Sequence, residues 1–309
     1  MTNADFLAAR FEENRSHLRA VAYRMLGSLA EADDAVQESW LRLSRSDASA
    51  IDNLSGWLTT VVARVSLDML RSRVSRREDS IDAEPAPERI AHTTAPDPEQ
   101  EALMADSVGL ALLIVLDRLE PAERLAFVLH DVFAMPFDEI APIVDRTPAA
   151  ARQLASRARR RVHGGGQGAS DSGVPARNLT QQSETVRAFL TALRAGDFNG
   201  LVAVLAPDVV VTLDPRAARP GAPTTLVGAE TWARGAIAYS QLARNPALHV
   251  ALINGAPGLI FAPHGQLNRV LTFTFGDSDT RIVTAEIIAD PARLATLHLA
   301  VLEGGSSKP

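Results

Sequence analysis

Two stretches rich in helix breakers and poor in apolar residues partition this chain. Ser80–Gln100 reads SIDAEPAPERIAHTTAPDPEQ, with Asp82, Glu84, Glu88, Asp97 and Glu99 set against Arg89 alone. His163–Asn178 reads HGGGQGASDSGVPARN. Proline and acid in the first, glycine and serine in the second, make extended or mobile linkers with no hydrophobic period. Gly164-Gly165-Gly166 is linker and not a phosphate loop, since no strand precedes it and no Lys-Ser/Thr pair follows at the required spacing. Each segment between linkers therefore has to bury its own apolar face. A chain of 309 residues with 46% hydrophobic content has enough for two or three cores. The expected boundaries are 1–79, an acidic linker 80–100, 101–163, a Gly/Ser linker 164–178, and 179–309.

The first segment has helical spacing throughout. Phe6, Leu7, Phe11, Leu18, Val21, Ala22, Met25 and Leu26 form one run, which Gly27 ends. Ser28-Leu29-Ala30-Glu31 is a capping box for a second helix holding Ala35, Val36, Trp40, Leu41 and Leu43. Asp52-Asn53 offers a cap for a third, from Leu54 to about Ser75, with Trp57, Leu58, Val61, Val62, Val65, Leu67 and Leu70 on its inner side.

In the next segment, periodicity resumes at Glu101, and Glu120-Pro121 opens a further helix. Phe137–Val162 then reads PFDEIAPIVDRTPAAARQLASRARRRV from Pro136 onward. Phe137, Ile140, Ala141 and Val144 make one apolar stripe; Ala151, Leu154, Ala155, Ala158 and Val162 make another. A short break at Asp145-Arg146-Thr147 separates them. Thr147 is an N-cap and Pro148 occupies the first helical position, where a missing N–H costs nothing. Arg152, Gln153, Ser156, Arg157, Arg159, Arg160 and Arg161 cover the rest of the second helix. That is the helix-turn-helix pattern, whose second member reads DNA. Pro142 falls inside the first member, where it bends or interrupts a helix.

The tail changes character. Leu179–Arg194 is an amphipathic helix, broken at Gly196-Asp197-Phe198. LVAVLAPDVVVTLD passes from helix to strand, and Thr231–Ala243 is helical. ALHVALING, GLIFAP, LNRVLTFTFG and TRIVTAEIIAD are strand-like, with turn signals at Asn254-Gly255 and Gly276-Asp277. Helices followed by a multistranded sheet predict an α+β domain, here expected to be antiparallel. The whole is a multidomain chain: two all-α domains, then α+β.

Composition removes several functions. There are no cysteines, so disulfides and thiolate metal sites are excluded. No apolar run approaches the ~20 residues of a membrane span, and no signal-peptide segment opens the sequence, so a cytoplasmic protein is expected. The net charge is −6, which speaks against strong unaided DNA binding. Positive charge is local, in Arg71, Arg73, Arg76 and Arg77 and in Arg157, Arg159, Arg160 and Arg161; Lys308 is the only lysine. A partner is needed to hold such a chain on DNA. In the tail, Asp214, His249, His264 and His298 lack the spacing of a catalytic pair or a metal site, so no catalytic residue, metal or cofactor is expected. His249 and His298 lie in apolar runs and read as core.

The first two segments resemble the extracytoplasmic-function class of bacterial sigma factors. EADDAVQESWLR (Glu31–Arg42) is similar to the family's region-two helix that docks on the β′ clamp helices of RNA polymerase. WLTTVVARVSLDMLR (Trp57–Arg71) matches the helix that, with the preceding loop, recognises and melts the −10 element. Leu119–Val162 resembles region four, through Leu-x-Pro, Arg124, Phe137-x-Glu139-Ile140-Ala141 and the arginine-rich helix. The resemblance implies core RNA polymerase (β′ clamp helices and β flap) and promoter DNA as partners. It assigns polymerase binding to Asp33, Asp34, Gln37, Glu38 and Leu41. It assigns −10 contacts to Asn53, Leu54, Ser55, Trp57, Arg64, Arg71, Arg73 and Arg76, and −35 contacts to Thr147, Ala149, Arg152, Gln153, Ser156, Arg157 and Arg160. Pro148-Ala149-Ala150 replaces a more polar tip, so phosphate contacts gain weight over base readout.

The tail resembles the SnoaL-like, polyketide-cyclase-like cone, a curved sheet and helices around a pocket, which a subgroup of these sigma factors carries as an extension. Val209–Asp214, Ile253–Leu259 and Ala289–Leu294 carry that likeness. The subgroup's glycine-rich stretch after Asp214 is replaced by DPRAARPGAP, and Ala289-Asp290 stands where the family has Asn. The resemblance implies a regulatory domain acting in cis, with room for a small-molecule ligand; Asp214, Trp232, Asn254 and Asp290 are the pocket or interface candidates. Two alternatives stay open from sequence: a one-component ligand-responsive regulator, and a cyclase-type enzyme fused to a DNA-targeting module.

Overall fold

A computed structural model describes residues 3–46, 51–79, 107–164, 176–218, 223–243, 248–263, 266–276 and 280–302. The first linker, most of the second, and Asp277 of the expected turn lie outside the described residues. Compactness divides the chain into two units: Met1–Glu101 with Leu116–Arg159, and Ala102–Val115 with Arg160–Pro309. No described helix is long and apolar enough to cross a membrane.

The first unit begins with three helices, α1 (Asn3–Leu26), α2 (Leu29–Arg45) and α3 (Leu54–Asp79). Their limits follow the punctuation in the sequence. Gly27 takes φ +73° to end α1, a conformation that a side chain disfavours. Ser28 Oγ accepts from Glu31 N–H at 3.5 Å, and Asn53 Oδ1 accepts from Gly56 N–H at 3.0 Å. Phe11, Leu18, Met25, Leu43, Leu58 and Leu67 are fully buried, and the Phe11 and Trp40 rings pack with centroids 5.1 Å apart.

The same unit contains α5 (Pro121–Phe127), α6 (Phe137–Ile140) and most of α7 (Pro148–Val162), following α4 (Ser107–Leu116) in the chain. The expected long helix after Pro121 changes at Val128–Val132 to a π-helical turn. Pro142 acts as anticipated: α6 keeps a single regular turn, and residues 141–145 continue as turns. Asp145 then reverses the chain at φ +55°, and Thr147 Oγ1 caps α7 by accepting from Ala150 N–H at 3.3 Å.

The second unit departs from the boundary expected at the linker. α4, SVGLALLIVL, clusters with the tail, as does the end of α7. A helix apolar on every side needs cover all round. Val301 N–H donates to Val162 O at 2.7 Å, tying the end of α7 to the last strand region.

The tail itself runs α8 (Ala176–Ala195), α9 (Phe198–Val204), β1 (Leu205–Leu213), β2 (Thr225–Val227), α10 (Ala229–Ala243), β3 (Leu248–Ile253), β4 (Ala256–Phe261), β5 (Arg269–Phe275), β6 (Ile282–Ile288), α11 (Pro291–Thr296) and β7 (Leu299–Ala300). The seven strands form one sheet in the order β2-β1-β6-β5-β4-β3-β7. The α+β class is as expected and most strand pairs are antiparallel, as expected, but β1 and β6 run parallel, so the sheet is mixed. A long crossover connects them, and such pairing leaves no local turn signal. The short β2 and β7 also escaped the pattern. Asn254 (φ +51°) and Gly255 (φ +83°) form the tight β3–β4 turn that their dipeptide predicts. Phe189, Leu193, Leu201, Val209, Trp232 and Phe273 belong to the core between helices and sheet.

Candidate nucleic-acid interface and tail cavity

Helix α7 is two-faced. Ala151, Ala155, Ala158 and Val162 are buried, while Thr147, Ala149, Arg152, Gln153, Ser156, Arg157 and Arg160 are all exposed. Several of its arginines are oriented by their neighbours. Arg157 Nε lies 3.1 Å from Oε1 of buried Glu123, Arg159 Nε donates to Asp131 at 2.8 Å, and the Arg152 guanidinium stands 5.3 Å from the Phe137 ring centroid. The result is a rigid cationic ridge behind a capped turn, with small residues at its tip.

On α2, Asp34, Gln37 and Leu41 share a face at helical spacing, and Leu41 is 38% exposed. Asp33 pairs with Arg19 at 2.8 Å and Glu38 with Arg42 at 2.9 Å. An exposed leucine flanked by acid is a surface suited to a basic, partly apolar partner.

The −10 candidates separate into two groups. Asn53, Ser55, Arg64, Arg71 and Arg76 are exposed, and Leu54 and Trp57 half-buried. Asn53 caps α3, and Arg71 approaches Asp68 at 4.0 Å. Half-buried Arg73 and exposed Arg64 also make hydrogen bonds within the unit. Arg73 donates through both Nη atoms to Leu26 O, at 3.1 and 3.2 Å, and through Nε to Glu31 at 3.1 Å, closing the end of α1. Arg64 Nη2 donates to Pro142 O at 3.0 Å, a carbonyl in the turns that follow α6.

Arg124, one of the residues that carry the region-four resemblance, makes a second such link. It is 2% exposed; its Nε and Nη2 donate to Arg24 O at 3.3 Å and its Nη1 to Asp117 at 3.3 Å. Burial lowers its pKa to about 10, against the opposing pull of Asp117, so it stays charged at neutral pH. The His17 and Phe133 rings, far apart in sequence, meet edge-on with centroids 5.4 Å apart.

In the tail, one cavity of about 470 Å³ lies between α8, α10 and the sheet. Of the four tail candidates, Trp232 lines it. The other three do not line it, and each answers a backbone need. Asp214 accepts from Arg216 N–H at 3.0 Å and Asp290 N–H at 3.2 Å. Asp290 caps α11 through Arg293 N–H, and Asn254 Oδ1 accepts from His298 N–H at 2.8 Å. Of the histidines, His249 is buried as expected, but His298 is exposed because it falls in the turn before β7; His264 lies outside the described residues. Among the described residues no cluster could hold a metal ion.

The Arg216 N–H bond, with those from Asp290 and Ala289, holds the Asp214 carboxyl below its ordinary range in spite of burial, making it a poor base. Asp214→Ala is expected to destabilise the tail by roughly 2 kcal/mol at neutral pH. A depressed pKa adds stability above the unfolded value of ~3.9, lost as pH falls through the folded one. Thermal unfolding followed from pH 7 downward should therefore show the gap between mutant and parent narrowing as the carboxyl protonates; a constant gap would rule this out.

A capped two-helix turn carrying an arginine ridge, joined in one unit to a three-helix bundle, defines a helix-turn-helix transcription protein. Two family models match it: Sigma-70 region 2 over residues 10–76 and Sigma-70, region 4 over residues 110–162. The ECF RNA polymerase sigma factor SigJ of Mycobacterium tuberculosis is 39% identical over 254 residues, 81% of this chain and 79% of that one. The probable ECF RNA polymerase sigma factor SigI of the same species is 38% identical over 217 residues, 70% and 72% of the two chains. The crystal structure of the M. tuberculosis SigJ aligns with 93% of this chain and 98% of its own, at 33% identity and a TM-score of 0.43. This chain belongs to the ECF RNA polymerase sigma factor family.

Proposed function

We propose that the protein binds core RNA polymerase and directs it to promoters, the α2 face contacting the enzyme, α3 and the loop before it opening the −10 element, and α7 holding the −35 element. The observation that carries this reading is the division of α7, with every expected −35 residue outward and its alanine stripe inward. The chain's charge of −6 fits a protein that engages DNA only while bound to a larger machine. Melting calls for unstacking bases beside a positive groove, which exposed Arg71 and Arg76 supply. The tail regulates in cis, and a ligand in its cavity shifts activity only by binding one arrangement better than another.

Run-off transcription tests the reading: full-length protein and core polymerase on a randomised promoter pool, with start sites sequenced. Start-site-specific transcripts that depend on the chain are expected. Leu41→Glu, which puts charge at the centre of the α2 face, should weaken polymerase binding by roughly 30-fold while leaving the helix intact. Absence of specific transcripts despite polymerase binding would overturn the proposal. Because α4 and the end of α7 cluster with the tail, regulation is better probed by point substitutions in the whole chain than by truncation.

A further inference from the structure

Among the described residues, the tail cavity has an apolar lining with a single charge. Phe189, Leu193, Val211, Leu271 and Ile287 supply aliphatic and aromatic wall, and Arg269 is the charged residue lining it. Its guanidinium lies 5.3 Å from the Phe261 ring centroid and 5.3 Å from that of Tyr239. Phe261 is its cross-strand partner in the β4–β5 ladder, so the strand register sets one side of this clamp. Nε donates to Asn268 Oδ1 at 3.1 Å. Among the described residues no carboxylate pairs with Arg269, which leaves the Nη edge for an incoming anion. Tyr239 is 43% exposed and Arg269 half-buried, placing the charge where the cavity opens.

Helix α10 shapes the remaining space. Trp232, Gly235, Ala236 and Tyr239 fall on one face, two aromatics with two small residues between. A Cβ built on Gly235 would meet nothing within 4 Å. At ~30 Å³ per water-sized unit, the volume holds roughly 10–16 non-hydrogen atoms.

We propose that this cavity binds an amphipathic carboxylic acid, its hydrocarbon body against the apolar wall and its carboxylate on the Nη edge of Arg269. The proposal rests on the tail being the ligand-responsive module described above, and names its ligand class. An apolar pocket with one oriented polar group is how small-molecule sites combine affinity with selection. A carboxylate receives two charge-assisted hydrogen bonds from a guanidinium fork, which an alcohol cannot reproduce.

Calorimetric titration of the full chain with decanoate, decanol and decylamine tests it, apart from any transcription readout. Decanoate should bind roughly tenfold or more tightly than decanol, and decylamine more weakly still. Arg269→Met keeps a flexible apolar stem between the two rings but removes the charge; it should bring decanoate down to the level of decanol. Gly235→Leu, which enters open space on a helix, should abolish binding of both with the circular dichroism unchanged. The proposal is overturned if parent protein takes acid and alcohol equally, if Gly235→Leu binds decanoate as the parent does, or if neither probe binds. A transcriptionally active protein that fails these titrations would sink the ligand class and leave the sigma reading standing.

Discussion

Full-length protein carrying Arg124→Met is expected to lose roughly 3 kcal/mol of stability in its first unit, read as a shift of the urea transition. Arg24 lies in the last turn of α1, where carbonyls have no partner within the helix. Arg124 reaches it across a hundred residues of sequence and holds it with two donors while pairing with Asp117. Methionine fills part of the volume, but it leaves that carbonyl buried without a donor. Lysine should recover only part of the loss, since a point charge cannot replace a planar fork. Unfolding curves that superimpose would show that the link adds nothing. The same link, with that from Arg64 to Pro142, ties the three-helix bundle to the helix-turn-helix, and Arg64 is itself an expected −10 residue. Arg64 uses Nη2 for this bond and is exposed, which leaves its other donors open to DNA.

Neutralising the α7 ridge should have the largest effect on function. With Arg152→Gln, Arg157→Gln and Arg160→Gln combined, promoter-specific transcript is expected to fall roughly 100-fold while binding to core polymerase is unchanged. The salt dependence offers a second reading. Each lost phosphate contact removes ~0.9 from the slope of log affinity against log salt, so the holoenzyme's slope should flatten by about 2.7 if all three touch phosphate. A flattened slope with retained start-site choice would mean that the arginines position and that the rest of the helix reads sequence. Unchanged transcription would remove α7 from promoter recognition. The helix should persist in the variant, because glutamine is a good helix former and the buried alanine stripe is untouched.

Local chemistry explains why so much of this could be read in advance. Gly27, Ser28, Asn53, Thr147 and Pro148 act on their immediate neighbours, through φ, a cap or a missing N–H. The helix limits they set follow from residues within one turn. The same holds for the Asn254-Gly255 turn and for the division of α7 into alanine and arginine faces. The cavity left a fainter trace: the spacing of Trp232, Gly235, Ala236 and Tyr239 places small residues between aromatics on one helical face, a sign of space beside the helix.

What the residues alone determined is the long helices and strands, the helix-turn-helix and the helix faces that meet solvent, because period and capping are short-range; the short β2 and β7 were not among them. Only the tertiary structure decided that β1 lies parallel to β6, that α4 clusters with the tail, that Arg73 and Arg124 close the end of α1, and that Asp214 answers backbone donors while Arg269 faces the cavity. Those outcomes depend on pairing between distant residues. An arginine buried against a carbonyl and one lining a cavity are the same residue until folding sets their surroundings.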